Sequence, residues 1–253
     1  IVLATHDQGV VMILARKEGR WEPLRIDQYD DTFVHEIELG DADRDGRMEI
    51  FATPSEPNRV DGSPQPGWIM RYDHGEAGYV PTEVTRLQTR HVKEILVGDV
   101  EEDGTLELYA SIEATLSSQK GRPTPDEQLE IRRYHLEDPS APAELVAALD
   151  DKQCRFLHAG DVDGDGEKEL VASAYQSGVW VIQPREGAWM PTLVDADSSG
   201  YEHASTLADL DEDGMLEIYV AADDQGGVRR YVWNGEGFDR EELISILKGD
   251  ITF

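Results

Sequence analysis

The chain has 253 residues, and its 53 acidic and 23 basic side chains give a formal net charge of −30. A surface this acidic repels nucleic acid and anionic membranes, so we expect neither as a partner. The single cysteine excludes an internal disulfide, and no run of 18 apolar residues is available to span a bilayer. The length fits one large all-β domain or two smaller ones.

The chain opens with three β-type segments, at residues 1–5 (IVLAT), 10–14 and 21–26. Ile1 falls in the middle of a strand pattern, so we expect further residues before it. This first unit has no opening strand of its own. Residues 244–253 (ISILKGDITF) resemble such a strand. We therefore predict that the last strand pairs with the first unit and closes a ring, which would remove exposed sheet edges.

From residue 34 onward, one pattern occurs four times, about every 50–60 residues. Each copy contains an apolar strand, a nine-residue loop of the form D-x-[DE]-x-D-G-x-x-E, and a second β-rich strand. A third strand and, after a turn, a fourth segment complete the unit. Four short strands with glycine-rich turns are typical of a β-propeller blade. The loops begin at Asp41, Asp99, Asp161 and Asp209.

The repeats predict an all-β fold in which residues 1–253 form a single β-propeller domain. We expect five four-stranded blades, closed by pairing of the C-terminal strand with the N-terminal blade. The alternative is a seven- or eight-bladed ring of which this chain is a fragment. The predicted blades are residues 1–26 together with 244–253, 34–86, 91–149, 154–195 and 202–243.

The nine-residue loops have the composition of calcium sites. Calcium takes six to eight oxygen ligands, which carboxylates at positions 1, 3, 5 and 9 and the carbonyl of position 7 can supply. Glycine at position 6 permits the sharp turn, and the absence of His and Cys argues against zinc or copper. We therefore predict four calcium ions as cofactors. The predicted ligands are Asp41, Asp43, Asp45, Arg47 and Glu49 in loop 1; Asp99, Glu101, Asp103, Thr105 and Glu107 in loop 2; Asp161, Asp163, Asp165, Glu167 and Glu169 in loop 3; and Asp209, Asp211, Asp213, Met215 and Glu217 in loop 4.

Two other interpretations of the loop are weaker. An EF-hand also begins D-x-D-x-D-G, but it needs a glutamate at position 12 and flanking helices. Position 12 here is alanine or valine in every copy, and the flanks are β-type. A simple acidic turn would explain one copy, whereas four copies in the same place of each unit favour a metal site. Loop 2 departs most from the pattern of the other copies, because Glu101 replaces the aspartate at position 3.

These four loops, each followed by a β-strand, resemble the VCBS/FG-GAP repeats, the bacterial relatives of the integrin α-subunit propeller. The resemblance covers essentially the whole chain, although the literal Phe-Gly and Gly-Ala-Pro elements are not seen. It implies a propeller with calcium between the first and second strands of its blades. Calcium affinities of extracellular modules, with Kd about 10⁻⁴–10⁻³ M, favour a calcium-rich location that is extracellular, periplasmic or at the cell surface.

Two features point to ligand binding on the face opposite the metal loops. Long connections at residues 53–67 and 113–128 lie between second and third strands, where recognition loops often occur, although exposed tips also tolerate insertions. A basic residue stands six positions before each loop and would lie near the mouth of the predicted channel. Such a group could hold an anion such as a uronate. The predicted ligand-binding residues are His35, Lys93, Arg155 and His203.

Nearby aromatic residues at Tyr29, Phe33 and Tyr201 could stack on a sugar ring. The competing interpretation is that each base pairs locally between blades, for example with Glu36 or Glu94. Both interpretations stay open from the sequence alone.

We predict no catalytic residues, because the sequence has no Ser-His-Asp arrangement, phosphate loop or His-Glu-x-x-His motif. Cys154, beside Arg155 and near His158, is interpreted as a buried core residue rather than a nucleophile. The leading hypothesis is a non-enzymatic, monomeric propeller that binds a carbohydrate or protein ligand. The alternatives are a lyase-like enzyme that uses the basic residues on a polysaccharide, and a structural module of a larger protein.

Overall fold

The structure is a computed structural model that describes residues 1–57, 64–76, 78–119, 122–125, 127–138 and 140–245. These residues form β-strands and connecting turns, without a helix among them. The strands are β1 Val2–Thr5, β2 Val10–Lys17, β3 Arg20–Gln28, β4 Phe33–Gly40, β5 Glu49–Ser55, β6 Gly67–Gly75, β7 Gly78–Leu87, β8 Val92–Gly98, β9 Glu107–Ile112, β10 Leu116–Gln119, β11 Arg122–Pro125, β12 Leu129–His135, β13 Glu144–Leu149, β14 Cys154–Gly160, β15 Glu169–Ala174, β16 Val179–Arg185, β17 Ala188–Asp195, β18 Ser205–Ala208, β19 Glu217–Ala222, β20 Gly227–Trp233 and β21 Phe238–Ser245.

Five antiparallel sheets follow one another along the chain, which confirms the all-β, blade-like prediction. Four are four-stranded, with the orders β4-β5-β6-β7, β8-β9-β12-β13, β14-β15-β16-β17 and β18-β19-β20-β21. The first sheet has three strands among the described residues, β1-β2-β3, and β10 pairs with β11 in a separate hairpin. We number the five sheets as blades 1 to 5.

In blades 2, 4 and 5, burial decreases from the second strand to the fourth. Every residue of β5, β9 and β15 is buried, whereas β17 and β21 are mostly exposed. A second strand is covered on both faces by the neighbouring blades, so its sequence is a nearly continuous run of apolar and small residues. The fourth strand needs apolar residues only where it meets a neighbour.

The hydrophobic core lies between consecutive blades rather than inside any one of them. Tyr109 and Ile131 of blade 3 pack in one cluster with Leu157 and Leu170 of blade 4, and equivalent clusters join the other neighbouring blades. Cys154 is fully buried in this cluster, where its thiol donates a hydrogen bond to the Phe156 carbonyl, and burial raises its pKa. These properties fit the predicted core role.

The predicted closure of the ring is not confirmed. Ile244 and Ser245 belong to β21 and pair with Val228 and Gly227 of β20, so they complete blade 5 instead of entering blade 1. Pairing with the adjacent strand closes a shorter loop, which costs less entropy than pairing with a strand near the N-terminus. The rest of the predicted closing strand, residues 246–253, lies outside the described residues. Within the described ranges no sheet joins the first and last blades.

The first strands of successive blades are neighbours, with β4 beside β8 and β8 beside β14. Three of them contain a register irregularity at the same place, namely between Val34 and Ile37, Val92 and Ile95, and Cys154 and Phe156. A β-bulge of this kind redirects the side chains within it. The bulges contain His35, Lys93 and Arg155, three of the four predicted ligand-binding residues.

Buried hydroxyl groups of the second strands stabilise two of these bulges. The backbone N–H of Glu36 donates to Thr53 Oγ1 at 2.8 Å, and that of Glu94 donates to Ser111 Oγ at 3.1 Å. Thr53 Oγ1 also donates to the Lys93 carbonyl at 3.3 Å, which links blade 2 to blade 3. Without these hydroxyls, the bulge N–H groups would be buried and unsatisfied.

We expect Thr53→Val to lower the free energy of unfolding by about 1–3 kcal/mol, because it keeps the shape of the side chain but leaves a buried N–H without an acceptor. Urea denaturation in excess calcium would measure the change. Thr192→Val, at an exposed position of β17, is the matched control and should change stability by less than about 0.5 kcal/mol. Equal stabilities for the two variants would contradict the assigned role of Thr53.

Candidate functional site

Each nine-residue loop connects the first strand of a blade to the second, on one face of the molecule. In loop 1 the backbone is left-handed at two positions, with φ of 60° at Arg44 and 85° at Gly46. The other three loops repeat this, with positive φ at their fourth and sixth positions. The sixth position is glycine throughout, as the sequence predicts. The fourth position was missed, and only Gly164 in loop 3 signals it.

Hydrogen bonds hold the loops in one curled shape. The first aspartate accepts from the N–H of the sixth residue, as in Asp41 with Gly46 at 3.0 Å and Asp209 with Gly214 at 3.0 Å. The buried glutamate at position 9 accepts from the N–H of position 2, as in Glu49 with Ala42 at 2.7 Å. The same carboxylates that attract a cation therefore also fix the turn.

The predicted carboxylate ligands converge in all four loops. In loops 1 and 4, one oxygen from each of the four carboxylates lies within 4.8 Å of the others. In loop 2 the group contains three carboxylates and leaves out Asp99, and in loop 3 it contains three and leaves out Asp165. Oxygens this close are compatible with a shared ion at metal–oxygen distances of about 2.3–2.6 Å. The position-7 backbone carbonyls of the four loops remain predicted ligands.

Several carboxylate oxygens of the loops are buried without a hydrogen-bond partner, namely Asp41 Oδ1, Asp99 Oδ1 and Glu107 Oε2. Burial raises the pKa of Glu107 to about 7, and the charges of Asp103 and Asp99 add to the effect. Buried acceptors with no donor are costly, and crowded carboxylates disfavour their own ionised forms. The residues present therefore fit a hard divalent cation that would satisfy the acceptors and neutralise the charge.

Neighbouring loops are also bonded to one another. Arg44 of loop 1 donates to Thr105 Oγ1 of loop 2 at 3.2 Å. Lys168 of loop 3 donates to the Asp99 carbonyl of loop 2 at 2.9 Å and pairs with Glu102 at 3.2 Å. The first three loops are thus linked by hydrogen bonds and an ion pair. A structural change in one of these loops can therefore be transmitted to its neighbour.

At the other end of the first strands, His35, Lys93 and Arg155 come close together. The His35 ring lies 5.0 Å from that of His6 and 5.8 Å from that of His91, measured between centroids. Burial, and then the charge of Lys93, lowers the pKa of His35 to about 2, and Arg155 contributes to the same shift. His35 is therefore neutral at pH 7. We call His35, Lys93, Arg155, His91 and His6 the basic cluster.

Carboxyl groups neighbour the basic cluster, as the competing interpretation of local pairing expects. Glu113 lies 3.9 Å from Lys93 Nζ and 3.7 Å from His91 Nδ1. The carboxyl groups of Glu36 and Glu94 are hydrogen-bonded to each other. Burial, and then the charge of Glu36, raises the pKa of Glu94 to about 9, so the pair keeps a proton at neutral pH. Lys93 thus has a carboxylate neighbour in its own blade, whereas Glu36 and Glu94 bond to each other. Pairing of the bases between blades stays a prediction.

His203, the fourth predicted base, is held elsewhere. Its ring is fully buried, with Nδ1 2.6 Å from the Ala174 carbonyl and Nε2 2.7 Å from Ser198 Oγ. Burial is the main cause that lowers its pKa, so His203 is also neutral. The expectation of four cations around one mouth needs correction, because burial keeps His35 and His203 neutral at neutral pH.

Two of the three predicted aromatic residues lie beside the basic cluster. Phe33 stacks on His6 with ring centroids 4.1 Å apart, and the Arg155 guanidinium lies 4.6 Å above the Tyr201 ring. Tyr201 is 58% exposed, so much of its side chain remains accessible. Tyr29 instead lies between blades 1 and 2, where its hydroxyl is 2.6 Å from that of Tyr72.

The predicted recognition loops can be placed only in part. In the first, residues 58–63 lie outside the described residues, and the second contains the hairpin of β10 and β11. His158 bonds to Ser205 rather than to Cys154: its Nε2 donates to the Ser205 backbone carbonyl at 2.8 Å. Sequence reasoning missed His6, His91 and Glu113, because no spacing rule links them to the repeat.

Comparison with known proteins supports the repeat interpretation. Residues 161–220, which contain loops 3 and 4, match the model of the FG-GAP-like repeat family. This confirms the resemblance to FG-GAP repeats. A search of curated proteins finds no match. No helix among the described residues is long and apolar enough to cross a membrane.

Two solved structures resemble the fold. The rhamnogalacturonan lyase YesW is 14% identical over 93% of this chain with a TM-score of 0.53, and the chain spans only 50% of that lyase. A putative 6-phosphogluconolactonase from Bacteroides fragilis is 10% identical over 98% of this chain and 95% of its own, with a TM-score of 0.37. The first shows a likeness of fold alone, and the second is too distant to support an argument.

The Glu36–Glu94 pair predicts a pH dependence of stability. Glu94 holds a proton in the folded protein that the unfolded chain releases above its ordinary pKa, so stability falls as pH rises between the two pKa values. Glu94→Gln removes this loss. In excess calcium, the variant should match the native protein near pH 5 and melt at a progressively higher temperature than it as pH approaches 9.

The control is Glu236→Gln, an exposed position in the turn before β21. Thermal melts of all three proteins between pH 5 and 9 provide the comparison. A difference between Glu94→Gln and the native protein that stays constant with pH would contradict the shared-proton assignment.

Proposed function

We propose that this chain, whose residues 161–220 are an FG-GAP-like repeat segment, is a non-enzymatic, calcium-binding β-propeller module. In this proposal the calcium ions stabilise the blades, and the opposite face binds a carbohydrate or protein ligand. The observation that carries the ligand proposal is the placement of Lys93 and Arg155 beside the partly exposed rings of Phe33 and Tyr201. The chain would act as a monomer in an extracellular, periplasmic or cell-surface location.

Calcium is the ion that best fits the loops. Each loop brings together three or four carboxylates and contains no histidine or cysteine, the ligands typical of zinc sites and of most copper sites. Calcium accepts irregular sets of six to eight oxygens, whereas magnesium demands near-ideal octahedral geometry. Because these carboxylates repel one another without a cation, binding should be coupled to folding.

Removal of calcium is therefore expected to lower the melting temperature, and millimolar calcium should restore it. At about 10 mM free calcium and a Kd of about 10⁻⁴ M, each loop contributes about 2.7 kcal/mol. Calorimetric melts in excess EDTA and after addition of calcium measure the effect, with magnesium at the same concentration as the control. Unchanged melting in EDTA would contradict the calcium proposal.

The proposed ligand site lies far from the metal loops. Six residues of first strand separate His35 from Asp41, or about 20 Å at roughly 3.3 Å per residue. The Lys93 side chain is 15% exposed, and Arg155 is only partly covered by Tyr201. An anionic group could therefore reach two cations while an attached ring packs on Tyr201 or Phe33. A carboxylate-bearing sugar or an acidic peptide side chain has this combination.

We expect Arg155→Gln and Lys93→Gln each to weaken binding of uronate-containing oligosaccharides by about tenfold or more, because a charged hydrogen bond is lost. A glycan array followed by calorimetry on the bound oligosaccharide measures the change. Arg20→Gln in exposed β3 is the control and should bind as the native protein does. Equal binding by all four proteins would contradict this location of the site.

One observation favours a second function, a polysaccharide lyase. Burial lowers the pKa of Lys93, which favours the neutral amine that can accept a proton, and Arg155 stands nearby to neutralise a uronate carboxylate. The fold also resembles that of a rhamnogalacturonan lyase. Such an enzyme removes the proton beside the carboxylate and expels the linked sugar, leaving an unsaturated product that absorbs in the ultraviolet.

The same oligosaccharides separate the three hypotheses. Binding without an increase in ultraviolet absorbance supports a binding module. An increase that Lys93→Gln abolishes supports the lyase. Neither binding nor turnover on any glycan or acidic peptide tested would leave the structural module as the better account.

A further inference from the structure

The third strands of three blades carry an arginine that reaches the metal loop of the same blade. Each arginine stands opposite the residue two positions after the last glutamate of the loop. In blade 4 the equivalent position is a valine. The four cross-strand pairs are Phe51 with Arg71, Tyr109 with Arg133, Val171 with Val181, and Tyr219 with Arg230.

The arginine contacts differ in extent among the three loops. The Arg230 guanidinium contacts both Asp211 and Glu217, at positions 3 and 9 of loop 4. Arg133 contacts Glu101, at position 3 of loop 2. In loop 1, Arg71 Nη2 lies 3.4 Å from the carboxylate of Glu49 at position 9. All three guanidinium groups thus touch residues predicted to bind the ion.

Loop 3 has no such internal cation. Val181 is apolar, and Asp163 at position 3 accepts a hydrogen bond from the neutral amide of Gln183 at 2.6 Å. The nearest guanidinium there is that of Arg185, which is 51% exposed and lies 4.0 Å from Asp163. Loop 3 therefore presents its carboxylates with less positive charge beside them than the other loops do.

A guanidinium and a divalent ion compete for the same carboxylate oxygens. Each N–H bond to a carboxylate uses a lone pair that an ion would need, and two cations that share one carboxylate repel each other. The effect grows with the number of ligands that the arginine engages. It is greatest for Arg230, which bridges two of the four carboxylates in its loop.

We propose that the third-strand arginine sets the calcium affinity of its loop. Loop 3, without the arginine, is the tight site, and loop 4, whose arginine holds two ligands, is the weakest. The arginines also neutralise part of the charge of loops 1, 2 and 4 when calcium is absent, whereas loop 3 depends on the ion. This inference rests on the proposed calcium binding.

Calcium titration of EDTA-treated full chain by isothermal calorimetry tests the assignment through the number of tight sites. The native protein should show one tight site and weaker ones. Val181→Arg should weaken the tight site by about tenfold or more. Arg230→Val combined with Val232→Gln gives blade 5 the polar set of blade 4, and should raise the number of tight sites from one to two.

Arg16→Val is the matched control, because it removes a guanidinium from blade 1, which has no metal loop among the described residues. It should leave the titration unchanged. If Val181→Arg fails to fold, the blade 5 double variant alone still decides the matter. Sites of equal affinity in the native protein, or a double variant that titrates like it, would overturn the arginine assignment while leaving calcium binding intact. A complete lack of calcium binding would overturn both.

Discussion

Repulsion among carboxylates at four strand turns is the constraint on which the rest of this molecule depends. Each turn must bring acidic side chains together, because the same groups hold the loop closed by accepting backbone N–H bonds, as Asp41 does from Gly46. The turn in its native shape is therefore also a concentration of negative charge. Arginines of the third strand relieve part of this charge, and the proposed calcium ions relieve the rest.

Fixing these turns has consequences for the opposite face. A loop that sets the end of a first strand also sets the strand direction, and the blades then pack through shared cores such as that of Tyr109 and Leu170. The bulges at the far ends of β4, β8 and β14 are consequently held in a constant relation. This is how residues distant along the chain, His35, Lys93 and Arg155, come together in one cluster.

The sequence was most informative where it repeats. Strand order within the blades and the glycine at position 6 followed from the pattern of the loops, because local turn chemistry and apolar periodicity decide them. The basic cluster was predicted only in part, since a spacing of six residues says nothing about burial. His203 has the right spacing but is buried against Ser198 and Ala174. Ring closure is not confirmed: Ile244 and Ser245 pair with β20, and the remainder of the predicted closing strand lies outside the described residues.

The central claim is that the four loops are calcium sites. A crystal structure of the chain grown in millimolar calcium, with anomalous scattering to identify the ion, tests it most directly. The account predicts an ion in each loop, bound by the carboxylates at positions 1, 3, 5 and 9 and the carbonyl of position 7, at distances of about 2.3–2.6 Å. Loops that keep their carboxylates paired only with arginine, glutamine and backbone N–H groups, with no anomalous density at any of the four, would contradict it.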